Sequence, residues 1–251
     1  MTEIWGHRGA YDFASENTLS SFQIAADKGA DGVELDIQLT RDGEIVVIHD
    51  EKIDRLSNGQ GYVKDYTLSE LKKFNFNKRR LTLPEFMEAP TLAEVFELLG
   101  QTGLEINVEL KTGVFFYEGI ELKALQLAGA FGMSDRIVWS SFNHWSVQTV
   151  KRFEPSARTA LLCGGGIFAT GEECEKTGAE ALHPDARQLR YPGLVEDCHR
   201  RGIKVRAYTI NSPEDLRFAF DLGVDAVFTN NIDVAREELE KYGLQKNTKF
   251  L

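Results

Sequence analysis

Short runs of β-branched and other apolar residues alternate with amphipathic helical stretches along most of the 251-residue chain. The runs predict nine β-strands, at residues 3–6, 32–38, 44–49, 105–110, 136–140, 158–162, 179–183, 204–209 and 225–228. The stretches predict eight helices, at residues 17–28, 92–99, 117–131, 145–153, 169–177, 193–201, 213–222 and 232–242. This alternation is typical of an α/β protein.

One predicted strand, at residues 44–49, does not fit the alternation. Only Thr40-Arg41-Asp42-Gly43 separates it from the strand before it. A parallel crossover needs a dozen or more residues, whereas Asp-Gly is a hairpin signal. We therefore expect residues 44–49 to run antiparallel, which leaves eight strands and eight helices, the count of a closed (β/α)8 TIM barrel. Such a hairpin places His49 roughly opposite Glu34, and a bulge at Gly43 shifts that pairing by one residue.

The alternation is interrupted between about Glu51 and Pro90. This segment contains one clear helix start, Thr67-Leu68-Ser69-Glu70. We predict an insertion at about residues 51–90, after the second barrel strand, that covers the C-terminal face of the barrel. No long linker or low-complexity stretch indicates a second domain, so residues 1–251 are predicted to form a single barrel domain.

Composition and charge exclude several classes of function. The net charge of −10 argues against a nucleic-acid partner and, more weakly, against a polybasic membrane patch. The N-terminus shows no signal-peptide pattern, and no apolar run approaches the roughly 20 residues that span a bilayer. The three cysteines cannot all pair and lack CxxC spacing, which favours reduced thiols. We expect a cytoplasmic protein without a membrane anchor, and a homo-oligomer remains open.

Two carboxylates lie on one face of a predicted strand. Glu34 and Asp36 are two residues apart, and burying both is costly unless a cation or a proton compensates. The alternative is that one of them faces outward and pairs with a lysine. Glu109 repeats the pattern on the next barrel strand, with Lys111 on its own face. Three oxygen ligands without clustered cysteines favour one hard divalent cation, Mg²⁺ or Ca²⁺, over Zn²⁺.

Two histidines and an arginine are further candidates. His7 follows the first strand and has a glycine on either side of its His-Arg pair, which suits close approach of a ligand. Taken alone, the triplet fits a structural role equally well. Arg8 offers a planar fork suited to phosphate, and an arginine–carboxylate pair inside the barrel is the alternative. His49 becomes a candidate only because the hairpin brings it to Glu34.

Three more residues end predicted strands or directly follow them. Phe142 and Tyr208 either wall the pocket or pack in the core. His183 also ends a barrel strand, and for it a structural role is favoured over a position in the pocket.

Several motifs, taken together, carry a family resemblance. In chain order they are His7-Arg8-Gly9, Glu16-Asn17-Thr18, Gly29-Ala30-Asp31 with Glu34 and Asp36, Thr40-Arg41-Asp42-Gly43, residues 46–50, Pro90-Thr91-Leu92 with Glu94, Glu109-Leu110-Lys111, Ser141-Phe142, and Gly223-Val224-Asp225 with Thr229. In these motifs the chain resembles the glycerophosphodiester phosphodiesterases of the phospholipase-C-like barrel superfamily. The resemblance covers nearly the whole chain.

The resemblance implies a metal-dependent hydrolase that converts glycerophosphodiesters to glycerol 3-phosphate and an alcohol. It implies a metal held by Glu34, Asp36 and Glu109, and His7 and His49 as the acid–base pair, with either histidine in either role. It also places Arg8 and Lys111 on the phosphate. Whether water attacks directly or the glycerol hydroxyl first forms a cyclic phosphate stays open.

The chain departs from the family pattern at three positions. Ser15 stands where proline usually precedes Glu-Asn-Thr, Tyr208 where tryptophan is frequent, and Asn230 where aspartate is usual. None of these departures touches the proposed catalytic set. Two rival functions are a barrel phospholipase acting on a lipid phosphodiester and a non-catalytic glycerophosphodiester-binding protein. The intact acid–base set disfavours the binding protein, and the absence of a membrane-binding helix disfavours the phospholipase.

Overall fold

Eight parallel strands close into a barrel. The computed structural model describes residues 1–77, 86–166 and 170–248. Its strands are β1 (Glu3–Gly6), β2 (Gly32–Leu39), β3 (Ile45–Val47), β4 (Glu105–Leu110), β5 (Ile137–Ser141), β6 (Arg158–Cys163), β7 (Ala181–Pro184), β8 (Lys204–Ala207) and β9 (Ala226–Thr229). Among these, β3 is antiparallel, and β1 closes the ring by pairing with both β2 and β9. The predicted (β/α)8 TIM barrel is confirmed.

A helix follows each barrel strand. The helices in the described residues are α1 (Leu19–Asp27), α2 (Leu68–Leu71), α3 (Leu92–Leu99), α4 (Ile120–Ala130), α5 (His144–Phe153), α6 (Thr170–Thr177), α7 (Leu194–Arg200), α8 (Pro213–Leu222) and α9 (Ile232–Thr248). Of these, α2 is the one that lies in the insertion. The helix predicted at residues 17–28 begins later, at Leu19, because Thr18 is its N-cap and Asn17 has a left-handed φ of 55°. None of the described helices combines the length and the apolar character that crossing a bilayer requires.

The hairpin between β2 and β3 is present and contains the bulge. Gly43 has a φ of 80°, and its N–H donates to the carbonyl of Thr40 at 3.0 Å. The ladder pairs Ile37 with Val47, and the N–H of Ile48 donates to the carbonyl of Asp36 at 3.0 Å. This register differs by one residue from one that would pair His49 with Glu34, which is the shift that the prediction allowed for a bulge at Gly43. The bulge accounts for the shift.

One edge of β2 is divided between two strands. β4 occupies the other edge of β2 from Gly32 to Ile37. β1 pairs with the start of β2, at Gly32 and Val33, and β3 pairs with its end. Because β1 stops at Gly6, the loop that follows it and the segment after β3 both leave the sheet beside β2. This arrangement brings His7 and His49 to the same end of the barrel.

The segment between β3 and α3 forms a small layer with its own core. Its buried apolar residues include Ile53, Leu56, Val63 and Leu71, which pack together with Val46 and Ile48 from the hairpin. The predicted helix start is confirmed, since Thr67 and Glu70 form a capping box at the beginning of α2. Two 3-10 turns, Ile53–Arg55 and Val63–Asp65, precede α2. The insertion also contains the basic stretch at residues 75–80, which lies partly outside the described residues.

Candidate active site

A cavity of about 380 Å³ opens at the C-terminal ends of the barrel strands. Most of the residues predicted for the site lie in its wall. The residues that line it are His7, Arg8, Glu34, His49, Asn107, Glu109, Phe142, Leu162, Asp185, Tyr208, Thr209 and Phe228. The other two predicted residues, Asp36 and Lys111, lie directly behind this wall. Nζ of Lys111 is 2.9 Å from Glu109 and 3.7 Å from Asp36, and Asp36 is 3.6 Å from Nε of Arg8. The structure thus brings together all nine predicted site residues.

Three buried carboxylates converge beside the cavity. Oxygen atoms of Glu34, Asp36 and Glu109 lie within 4.8 Å of one another. The parallel register of β2 and β4, which pairs Asp36 with Glu109, produces this convergence. All three residues are buried, so the alternative in which one carboxylate faces outward and pairs with a lysine is wrong.

The environment of these carboxylates separates their pKa values. Burial, reinforced by the neighbouring Asp36 carboxylate, raises the pKa of Glu34 well above its usual value. Burial also raises the pKa of Glu109, although Lys111 opposes it. Burial acts in the same direction on Asp36, but His49, Lys111 and Arg8 together outweigh it and lower the pKa of that carboxyl. A single cation would relieve the cost of holding all three groups ionised.

The donor set fits a hard divalent cation. Oδ1 of Asp36 is fully buried and accepts no hydrogen bond from any residue that the structure describes. An ionised oxygen without a hydrogen-bond donor in such a position suits a metal ligand. The three ligands are oxygens, which matches Mg²⁺ or Ca²⁺ better than Zn²⁺.

The backbone N–H of Arg8 connects the loop after β1 to the carboxylate cluster. Arg8 has a left-handed φ of 53°, and its N–H donates to Oε2 of Glu34 at 2.8 Å. Its guanidinium donates to Oε1 of Glu16 at 2.7 Å and lies 3.6 Å from Asp36. The alternative arginine–carboxylate pair is therefore present. Arg8 nevertheless lines the cavity, so it is available to a substrate as well.

His7 is held by a neutral partner. Its Nδ1 lies 2.8 Å from the amide oxygen of Asn230. Because an amide oxygen only accepts hydrogen bonds, Nδ1 of His7 carries the proton and Nε2 keeps its lone pair. Burial, followed by the charge of Arg8, lowers the pKa of His7 to about 4.

His49 is held by a charged partner. Its Nδ1 lies 2.6 Å from Oδ1 of Asp50. Burial raises the pKa of Asp50, but hydrogen bonds from His49 and Arg55 outweigh it and hold that pKa well below its usual value. The acceptor on Nδ1 of His49 is therefore an ionised carboxylate, whereas that on Nδ1 of His7 is a neutral amide. The two histidines of the site therefore have different electrostatic environments.

Phe142 and Tyr208 form one side of the cavity. Their ring centroids are 5.9 Å apart with an interplanar angle of 89°, and the ring of Phe142 is 47% exposed. The hydroxyl of Tyr208 donates to the carbonyl of Cys163 at 3.0 Å. His183 is buried beneath them against Phe228 and Arg206, as its predicted structural role requires.

Four residues that contact predicted site residues carried no predicted role, Glu16, Asn17, Asp50 and Asn230, and Arg55 contacts two of these four, Glu16 and Asp50. Asn17 donates to Oδ2 of Asp36 at 2.9 Å, and Glu16 lies between Arg8 and Arg55. Glu16, Asn17 and Asp50 stand in the family motifs, and that position is the signal that points to them. Arg55 lies in a segment without periodicity, and no sequence pattern points to it.

The chain is similar to known proteins over most of its length. Residues 7–234 match the model of the glycerophosphoryl diester phosphodiesterase family. The chain is 38% identical to a glycerophosphodiester phosphodiesterase of Caldanaerobacter subterraneus subsp. tengcongensis, over 96% of this chain and 99% of that protein. It is 36% identical to a glycerophosphodiester phosphodiesterase of Bacillus altitudinis, over 96% of this chain and 100% of that protein.

A solved structure shows the same barrel. The phosphodiesterase of Oleispira antarctica, in complex with the product sn-glycerol-3-phosphate, superposes with a TM-score of 0.89 and 27% identity. The match covers 96% of this chain and 97% of that one. The fold and these similarities define a barrel phosphodiesterase. The chain belongs to the glycerophosphoryl diester phosphodiesterase family.

Proposed function

We propose that this enzyme hydrolyses glycerophosphodiesters to glycerol 3-phosphate and an alcohol, with a divalent cation and a histidine acid–base pair. The observation that carries the proposal is the convergence of three buried carboxylates with two differently partnered histidines on one cavity. The product-bound relative from Oleispira antarctica supports the substrate class. On this proposal residues 1–251 act as one barrel domain with an insertion at about residues 51–90.

Glu34, Asp36 and Glu109 would hold the cation, Mg²⁺ or Ca²⁺. When bound, the cation supplies positive charge that neutralises the phosphate and polarises the attacking oxygen. Lys111 and Arg8 add positive charge beside the carboxylates, where each balances a phosphoryl oxygen of the substrate. These interactions strengthen as negative charge develops in the transition state.

His7 acts as the general base in this proposal. Its proton is on Nδ1, directed at Asn230, and its lowered pKa leaves Nε2 unprotonated at neutral pH. Nε2 can therefore take a proton from the attacking oxygen, which is either water or a glycerol hydroxyl of the substrate. Both routes end in the same products.

His49 acts as the general acid. The Asp50 carboxylate holds its Nδ1, which leaves Nε2 as the atom that delivers a proton. The bond between phosphorus and the alcohol oxygen breaks as that oxygen takes the proton. An alkoxide such as that of choline or ethanolamine leaves poorly at neutral pH without it. Phe142 and Tyr208 form the wall against which the substrate packs.

Release of glycerol 3-phosphate from glycerophosphocholine and glycerophosphoethanolamine tests the proposal, with Mg²⁺, with Ca²⁺ and with EDTA. We expect release that EDTA abolishes and either cation restores. Metal-independent release would refute the role of the three carboxylates. Release from neither substrate would refute the activity, and vesicles of a lipid phosphodiester would then be tried.

A further inference from the structure

Arg55 connects the insertion to the active site. It is the last residue of the 3-10 turn Ile53–Arg55, and its guanidinium lies between the carboxylates of Asp50 and Glu16. Nη2 donates to Oδ1 of Asp50 at 2.9 Å, and Nε donates to Oδ2 of the same group. Nη1 and Nη2 donate to the two oxygens of Glu16 at 2.8 and 2.7 Å. Two edges of the guanidinium therefore each bind one carboxylate, and each carboxylate accepts two hydrogen bonds.

Each of these carboxylates holds a group of the proposed reaction. Asp50 accepts the Nδ1–H of His49, the proposed acid. Glu16 accepts a hydrogen bond from Nη1 of Arg8, the proposed phosphate ligand. The side chains of His49, Asp50, Arg55, Glu16 and Arg8 thus form a continuous chain of hydrogen bonds, and the first and last of them line the cavity.

Only an arginine can make these contacts. The fork of a guanidinium matches two carboxylates at once, whereas an ammonium is a point charge without fixed direction. The side chain of Glu16 is fully buried. Without Arg55, Oε2 of Glu16 would lose its donor inside the protein, and Asp50, 26% exposed, would be free to turn toward water.

We propose that Arg55 is a positioning residue for the phosphodiesterase reaction: it fixes Asp50, and through it the imidazole of His49, in the orientation that delivers a proton to the leaving alcohol. The inference rests on the proposed function. It deepens that function by assigning the insertion a part in the acid step. The structural reason is that β3 ends at Val47, before His49, so the barrel ladder does not orient His49.

Two substrates with the same glycerol phosphate and different leaving groups test the inference. Glycerophosphocholine needs its leaving oxygen protonated, whereas the p-nitrophenyl ester of glycerol 3-phosphate releases a stable phenolate without that proton. We expect Arg55→Gln and Arg55→Lys to lower kcat on glycerophosphocholine by about tenfold or more. On the p-nitrophenyl ester the same variants lower kcat by less than about threefold, because the acid step matters little there.

Arg158 provides a matched control. It is 26% exposed, against 28% for Arg55, and it also bridges two carboxylates, Glu105 and Glu180. It begins β6 and therefore lies at the opposite end of the barrel from the cavity. Arg158→Gln removes a similar ion-pair bridge and lowers the melting temperature, but it leaves the ratio of kcat values for the two substrates unchanged.

Equal loss on both substrates would overturn the inference, as would a change in the ratio for Arg158→Gln as large as that for Arg55→Gln. If Arg55→Gln does not fold, Arg55→Lys decides the matter, since it keeps a positive charge between the two carboxylates. Failure of the proposed function is distinguishable, because the wild-type enzyme would then release glycerol 3-phosphate from neither substrate.

Discussion

Asn230 lies 2.8 Å from Nδ1 of His7 and offers it an uncharged acceptor. Because this acceptor is an amide, it fixes the tautomer of the imidazole without stabilising its protonated form. The corresponding atom of His49 contacts a carboxylate instead. In the proposed mechanism, this difference between the two acceptors is the reason for giving the base role to His7 and the acid role to His49.

Asn230→Asp tests this assignment. A carboxylate on Nδ1 favours the imidazolium, so it raises the pKa of His7 from about 4. The base must be neutral, so the acid limb of kcat/KM moves to higher pH, by about one unit or more. A pH profile between 4 and 8 measures the shift. With Asn230→Ala as the control, an acid limb that stays in place in both variants contradicts the assignment.

Because three buried carboxylates converge beside the cavity, we expect a divalent cation to stabilise the folded protein. At a cation concentration of about 100 Kd, binding to the folded protein alone adds about 2.7 kcal/mol to the free energy of unfolding. Glu34→Gln removes one of the proposed ligands, and we expect most of that gain to disappear. Chemical denaturation with and without Mg²⁺ or Ca²⁺ measures both effects. Glu105→Gln, outside the cluster, serves as the control and should retain the gain.

Because His183 is buried, we expect the free energy of unfolding to decrease in acid. Burial, followed by the charge of Arg206, lowers the pKa of His183 well below 6.5 in the folded protein. Below pH 6.5 the unfolded chain therefore binds a proton that the folded protein excludes, and stability falls as the pH decreases. We expect the loss between pH 7 and pH 5 to be smaller in His183→Gln than in the wild type, by about 2 kcal/mol. Urea denaturation at both pH values, in EDTA, measures it; equal losses would show that His183 is protonated in the fold.

We expect the loop that carries His7 to require glycine at position 9. Gly9 has a φ of 83°, and a Cβ at this position would clash with Oγ of Ser21 and lie 2.8 Å from the backbone carbonyl carbon of that residue. Gly29 has a φ of 70° but open space around it, which makes it a matched control. We expect Gly29→Ala to cost about 1 kcal/mol of stability with activity intact. Gly9→Ala should cost more and reduce turnover, and similar melting temperatures and rates for the two variants would contradict the steric argument.

The barrel could be predicted from sequence because its signal is local. Each strand is a short apolar run, and Asp42-Gly43 identifies the antiparallel hairpin. The carboxylate cluster follows from the same logic, since strand periodicity places Glu34 and Asp36 on one face. The same hairpin turn contains the bulge at Gly43, and with it the one-residue shift that the hairpin prediction allowed.

The ion-pair chain beside the site could not be predicted in this way. Arg55 and Glu16 are 39 positions apart and lie in irregular segments, so no periodicity relates them. Their contact depends on how the insertion folds back over the first loop. The insertion folds in this way because its apolar residues, among them Ile53 and Leu56, are buried together, and no motif encodes that packing.

β1 and β3 share one edge of β2, and the segments that follow these two strands hold the two histidines of the proposed reaction by different contacts. The backbone N–H of Arg8 donates to Glu34 on β2, whereas His49 follows a three-residue strand and contacts Asp50, which Arg55 of the insertion holds. On the proposed mechanism, displacement of the insertion would leave the carboxylate cluster and His7 in place and would leave His49 without its orientation. Proton donation to the leaving alcohol would then depend on how the insertion is folded, and proton abstraction by His7 would not.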